Sequence, residues 1–431
     1  MNYKVIILIF LTFSCAKVEL EHEHKITFKD VKPILERSCL SCHNTTGKAS
    51  QLPLTRFEHY QANAKNIYKW VKNKKMPPFD PESDGFKFIN KEYLQGSERE
   101  QLLEFLGSPK LGDTDEVLEV PKENIDEITG DKYSFNFGKG ITIPPRGFLY
   151  RCYFFKIPER AKGKFLTQLQ IKGENKKYIH HNIYHVTSVD SKDELNRYFH
   201  PGAGCILPDQ NPIIGTGNNT GFFIQDDVNL VVQVHFDRTM DESTKTIIFD
   251  KDFELVLGVQ EEVETIAYNS VIHVPHPEVV IPYGKTTTTT VTNSVKDILE
   301  KSKIGRILQA KNNSKVRLKA FLFHMHLYGK AAELVWEISA EDPKEKRTHK
   351  QLLRENNFDS RHQYFGILET PVNLDVNDFL RISCDYDNSA ENPRTIFFNP
   401  EKKTITGGFS SSSEMCSTYL VFELPYSEFK K

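Results

Sequence analysis

The chain has 431 residues, 56 Lys and Arg against 58 Asp and Glu, and 39% apolar side chains. This near-neutral balance excludes the sequence-wide basic field that nucleic acid or an anionic membrane surface would require, and the aromatic-rich composition excludes a disordered chain. At roughly 100–200 residues per domain, the length implies two to four cores.

Residues 1–15 combine Lys4 with an apolar run over 5–13, too short to span a bilayer and suited to the h-region of a signal peptide, so export is expected. Ser14-Cys15 resembles a bacterial lipobox, with Thr12 where Leu is usual. Two readings stand: a lipidated Cys15, or an ordinary secretory signal with an incidental cysteine. Either places the protein in a bacterial periplasm or cell envelope, and the first adds a lipid anchor as its membrane contact. Residues 16–25 read as a polar tether.

Residues 26–111 carry a helical pattern. Val31, Ile34 and Leu35 form one apolar stripe, and Leu102, Leu103 and Leu106 form another, which predicts a small α domain. Residues 112–145 are charged with little periodicity and are expected to be a linker. Beyond them the texture becomes alternating strands punctuated by Gly, Pro and Asn, as at 229–236, 316–327 and 419–424. A mainly β region follows, divided near residue 262 into domains 146–262 and 263–427.

Cys39-Leu40-Ser41-Cys42-His43 is a C-x-x-C-H sequence. Its two thiols suit addition to haem vinyl groups, while the following imidazole reaches the iron from one axial side. A thioredoxin-like pair or half a zinc site would also give C-x-x-C. Met76, in Met76-Pro77-Pro78, offers a second axial ligand on a stiffened loop. Together with the leucine stripe of 102–106, these residues resemble a class I cytochrome c domain, with Phe105 where that family often has Trp. The resemblance implies one covalent haem c held by Cys39, Cys42, His43 and Met76.

Farther along, histidines form compact groups: His180-His181, then His235 in Val-Gln-Val-His-Phe, then His324-Met325-His326, with Met415 following in Glu-Met-Cys. Residues two apart on a strand share a face, so His324 and His326 can meet one metal. His180 and His181 would face opposite ways on a regular strand, and shared ligation there needs a bend or a strand end. A lone strand histidine is more often a structural residue than a ligand.

In this order the groups resemble the copper type II, ascorbate-dependent monooxygenases, the family of the peptidylglycine α-hydroxylating and dopamine β-monooxygenases. The resemblance implies two antiparallel β-sandwich domains and two copper ions. His180, His181 and His235 match the ligands of the electron-transfer copper, and His324, His326 and Met415 those of the copper where oxygen is activated. A thioether with two imidazoles favours Cu(I). The implied reaction uses O2 to hydroxylate a C–H bond of a small organic or peptide-like substrate, with an external respiratory carrier or an ascorbate-like reductant as donor. The alternative is a non-catalytic periplasmic electron-transfer or copper-binding protein.

Cys384 and Cys416 match a family disulfide, which leaves Cys152 to pair with Cys205. Tyr419 matches an aromatic hydroxyl beside the substrate and counts with the oxygen-site ligands as a catalytic candidate. Gln233 matches a family glutamine near the first copper, or is an ordinary strand residue. Leu322 stands where the peptide-amidating member has Arg, which argues against a glycine-extended peptide. His59, His185, His200, His273, His276, His349 and His362 match no ligand and read as structural or surface residues. One further expectation joins the two resemblances: the haem feeds the His180, His181 and His235 copper across the 112–140 segment.

Overall fold

A computed structural model of the chain describes residues 25–45, 47, 49–89, 93–120, 127–138, 140–145, 148–173, 178–200, 204–207, 212–213, 219–238, 246–249, 253–301, 306, 315–340, 346–360, 363–410 and 412–429. Residues 1–24, which include Cys15 and the expected signal segment, and His362 lie outside the described residues. Among these residues no helix is long and apolar enough to cross a membrane.

Three helices build the N-terminal unit: α1 (Phe28–Ser38), α2 (Phe57–Lys72) and α3 (Glu98–Gly107). The first begins where Asp30 Oδ2 accepts from the Thr27 amide at 2.8 Å and from its hydroxyl at 2.7 Å, which occupies an amide that the helix leaves without a partner. Val31, Ile34 and Leu35 of α1 pack with Leu102, Phe105 and Leu106 of α3, so the apolar stripes meet in one small core. At its rim, Arg37 donates to Glu98 at 2.9 Å.

The remainder is β. One eight-stranded sheet runs in the order Asp131–Asn136, Glu254–Gln260, Phe165–Lys172, Thr220–Phe223, Thr265–His273, Ser417–Pro425, Lys315–His324, Gly366–Asp375. Its seam is the parallel pairing of Thr220–Phe223 with Thr265–His273, so the strands before and after residue 262 share a single sheet. A four-stranded sheet, Phe148–Phe155, Asn229–Asp237, Ile179–Thr187 and Pro212–Ile213, accompanies the first half. The five-stranded sheet that accompanies the second half runs Pro81–Glu82, Thr348–Glu355, Gly329–Ile338, Phe379–Asp387, Thr286–Ser294. Two aliphatic and aromatic cores correspond to these halves, one containing Leu230, Val232, Leu255 and Leu257, the other Leu318, Phe321, Ile382 and Phe422. The architecture is the sandwich-like β fold expected for the region beyond residue 145.

The stretch expected to be a linker, 112–145, instead carries the strands Asp131–Asn136 and Ile141–Ile143. Tyr133 and Phe137 are buried and Phe135 packs beside them, while Asp131, Lys132, Ser134 and Asn136 are exposed. The period of two is present, with Lys132, Ser134 and Asn136 on the outward face, within a stretch of charged residues that masks it. Both disulfides form as paired from the sequence. Cys152–Cys205 joins Phe148–Phe155 to Gly204–Cys205, and Cys384–Cys416 ties Phe379–Asp387 to the residue preceding Ser417–Pro425.

Candidate metal centres

The first histidine group is built on the four-stranded sheet. His181 on Ile179–Thr187 lies directly opposite His235 on Asn229–Asp237, with ring centroids 4.9 Å apart. The register slips at the step from His235 to Phe236, whose partners are His181 and Ile179, so His180 is the extra residue of a bulge. A bulge interrupts the strict alternation of faces along a regular strand at this point. The His180 side chain lies outside the described positions. Tyr150, across from His235 on the other neighbouring strand, stacks on its ring at 4.1 Å. Gln233 is buried and accepts from the Cys205 amide at 2.6 Å, so it holds the disulfide-bearing strand.

The second group stands where Lys315–His324 ends. His324 and His326 bring their ring centroids to 5.2 Å, edge to face. His326 Nδ1 lies 2.8 Å from the Ser413 carbonyl, which can only accept, so Nδ1 carries the proton and Nε2 keeps its lone pair. His324 Nδ1 lies 2.9 Å from Gln363 Oε1, and the Gln363 amide nitrogen donates to the Ser360 carbonyl at 2.9 Å. That second bond orients the amide with its oxygen toward His324, which again protonates Nδ1 and leaves Nε2 free. Burial holds both imidazoles below the usual histidine range. For His326 the neighbouring His324 adds to burial and the value falls to about 3. Both rings are therefore neutral at physiological pH, the form that binds metal.

Glu414 joins this pair to Met415. It is buried, and its Oε2 accepts from the amides of His326 at 2.8 Å and Met415 at 3.2 Å, while Oε1 accepts from the Tyr328 amide at 2.6 Å. Burial pushes its carboxyl up to about 7, against the opposing pull of these three donors. The Tyr386 hydroxyl donates to the Met415 carbonyl at 2.9 Å, and the Cys384–Cys416 disulfide follows immediately. Met415 is buried beside the histidine pair's own anchor. Two imidazole Nε2 atoms with a thioether are a soft, nitrogen-rich donor set that fits copper. Tyr419 lies one strand away from His324, ring centroids 6.2 Å apart, and burial lifts its phenol to about 12, so it remains a neutral hydroxyl.

In the α unit, Cys39 caps α1 and the chain turns tightly, with the amides of Cys42 and His43 donating to the Cys39 carbonyl at 3.2 and 2.9 Å. Both thiols are free, and burial pushes that of Cys39 up to about 12. His43 Nδ1 donates to the Leu52 carbonyl at 2.9 Å, which leaves Nε2 as the atom able to ligate. Met76 packs against the same core as Cys39. Two thiols one turn apart, a fixed imidazole and a thioether on one core fit a c-type haem.

The sequence did not single out Gln363, Ser413 or Tyr386 as supports, and gave Glu414 no role beyond its place in the Glu-Met-Cys run. Glu414 was the more readable of these, since a carboxylate beside a candidate ligand just ahead of an apolar run needs buried partners. Gln363 and Ser413 act from loops, where no periodicity signals a contact.

A comparison with curated proteins gave no match. Among solved structures, the chain is similar to the infectious bursal disease virus VP2 subviral particle at 6% identity, covering 72% of this chain and 75% of that one, TM-score 0.19. It is also similar to a secreted protein from Eubacterium rectale at 7% identity, covering 64% and 69%, TM-score 0.14. Likeness at these scores carries no argument. Residues 306–430, which contain His324, His326, Met415 and Tyr419, match the family model described as copper type II ascorbate-dependent monooxygenase, C-terminal domain, and this match supports that family, and with it a copper-dependent oxidoreductase.

Proposed function

We propose that the chain is a copper-dependent monooxygenase that uses O2 to hydroxylate a C–H bond of a small organic or peptide-like substrate. The observation that carries this reading is the second centre. Within the matched span, two neutral imidazoles present free Nε2 atoms, and a single buried carboxylate, Glu414, accepts from the backbone amides of both His326 and Met415. His324, His326 and Met415 would hold one copper ion, and His180, His181 and His235 a second. Copper bound there supplies one-electron chemistry toward dioxygen. The residues of the chain keep the ligands neutral and aligned, and Tyr419 offers a hydroxyl beside His324. Completeness of this second donor set favours catalysis over simple electron carriage.

The Cys39, Cys42 and His43 site, with Met76, would carry a covalent haem c as an internal electron store, filled by an external donor of the respiratory or ascorbate-like class. Secretion through residues 1–15, with lipid on Cys15, fits an envelope location where both disulfides persist.

Copper and haem analysis of the purified chain, followed by oxygen uptake screened against candidate substrates, tests the proposal. Two coppers per chain and substrate-dependent uptake are expected. A chain that binds no copper refutes it.

A further inference from the structure

The segment that follows Met76 does not stay with its own helices. Phe79 and Phe88 are buried in the core of the C-terminal sandwich, and Phe88 meets Phe321, on the strand that ends at His324, at 6.1 Å. Pro81–Glu82 pairs antiparallel with Arg354 and Glu355 as the edge of the five-stranded sheet. The Asp84 amide donates to the Gln351 carbonyl at 2.9 Å, and the Gln351 amide donates back to Asp84 Oδ2 at 2.6 Å. Beyond it, Ile89 donates to the Ile367 carbonyl at 2.9 Å and Glu369 to the Lys87 carbonyl at 2.8 Å. Just before Met76, Lys75 Nζ donates to Asn357 Oδ1 at 2.8 Å and Asn357 Nδ2 donates to the Lys74 carbonyl at 3.0 Å. The loop bearing Met76 is thus clamped on both sides to residues 351–369.

Those residues include the support of His324. The Phe79 ring lies 5.5 Å from that of Tyr364, whose neighbour Gln363 accepts from His324 Nδ1 at 2.9 Å. Three chain positions after Met76, one ring contact, one peptide link and one hydrogen bond reach the imidazole.

We propose that the N-terminal site serves the His324, His326 and Met415 centre directly through Phe79, Tyr364 and Gln363, rather than through His180, His181 and His235. This rests on the haem and copper reading above. The step moves one electron and no atom: Fe(II) held by Cys39, Cys42 and His43 becomes Fe(III) as Cu(II) at the His324 centre becomes Cu(I). An external one-electron donor then returns the iron to Fe(II).

The test uses the full chain, with haem and copper content measured first. Absence of either overturns the parent reading and this proposal together, and is recognised before any kinetics. In loaded Cu(II) protein, a flash-generated one-electron reductant delivers less than one electron per chain to the haem under anaerobic conditions, and the reoxidation of the haem by Cu(II) is followed by absorbance. Concentration-independent reoxidation is expected to persist in His235→Ala and to be lost in His326→Ala. Any other pattern in these two variants overturns the route. Tyr364→Leu should slow the step, because it removes the one ring contact on the path. Gln363→Leu should shift the Cu(II) EPR spectrum while leaving the haem absorbance unchanged. An unshifted spectrum in Gln363→Leu, with an unslowed step in Tyr364→Leu, removes these side chains from the route.

Discussion

Replacing Glu414 by Gln removes one oxygen from a carboxylate that accepts three backbone amides, those of His326, Tyr328 and Met415. If the remaining oxygen serves His326 and Met415, the new amide group faces the Tyr328 N–H, donor against donor. If it serves Tyr328, two donors are left facing it. Each buried amide left without an acceptor costs about 1–3 kcal/mol, and the first orientation leaves only one, so the substitution should cost about 1–3 kcal/mol. For a domain of this size, that corresponds to a fall of roughly 2–12 °C in the transition of the C-terminal sandwich. Calorimetry of the wild type and of Glu414→Gln, each with and without copper, measures it. Because Glu414 holds the histidine loop to the methionine loop, copper should stabilise the variant less than the wild type, and the Cu(II) EPR spectrum should broaden. An unchanged transition with an unchanged spectrum would show that the two loops are held together by something other than this carboxylate.

Met415→Leu, which keeps the buried volume but removes the thioether, should weaken copper binding and oxygen uptake with little change in thermal stability, whereas Cys416→Ser should lower both, since a disulfide is worth about 2–4 kcal/mol; equal thermal losses with copper retained would contradict this. Met76→Ala should change the visible spectrum of haem-loaded protein and lower its reduction potential, because a thioether favours ferrous iron; potentiometry with no shift removes Met76 from the site. Glu355 is buried, and burial with nearby Asp359 pushes its carboxyl up to about 8, so its protonated form favours folding. That contribution is complete below the ordinary carboxylate range and is lost as pH rises through about 8. The transition temperature should therefore fall between pH 5 and 9, and Glu355→Gln should flatten the fall; parallel pH curves for the two proteins would refute it.

The α stripes and the β character beyond residue 145 were legible because each rests on a local signal, 3.6-residue spacing or alternation, whereas cysteine count leaves three connectivities open and the pair Cys384–Cys416 came from the family resemblance. The strand Asp131–Asn136 is hard to see because the alternating run Tyr133, Phe135, Phe137 is short and sits in a charged stretch. The sequence of one strand cannot show how His180 and His181 are arranged. The bulge at His180 arises from register against Asn229–Asp237, and register is a property of two strands rather than of one. Least legible was the path of residues 79–89, whose aromatic residues read as part of the α domain. Phe79 and Phe88 are buried by strands more than two hundred residues away, contacts that no local pattern encodes.

The two histidine groups stand on different supports, and this bears on how the centres can be tuned. His181 and His235 are neighbours across one strand pair, stiffened by the Tyr150 stack and by Gln233 holding Cys205. Their geometry is fixed by a ladder, and a small shift would break several paired amides at once. His324, His326 and Met415 instead leave the ends of strands, and their alignment depends on side chains reaching in from elsewhere: Gln363, Glu414, Tyr386 and the Ser413 carbonyl. A centre assembled from such contacts adjusts without disrupting a sheet, and it responds to whatever displaces its supports. Residues 79–89 meet these supports through Phe79, whose ring lies 5.5 Å from that of Tyr364, the neighbour of Gln363. Linkage is reciprocal, so if this contact couples the two regions, copper that orders His324 also steadies residues 79–89. Copper binding in the metal-free chain should then slow amide exchange at residues 79–89, more than 200 positions from the ligands in sequence, and uniform exchange before and after copper would break the argument.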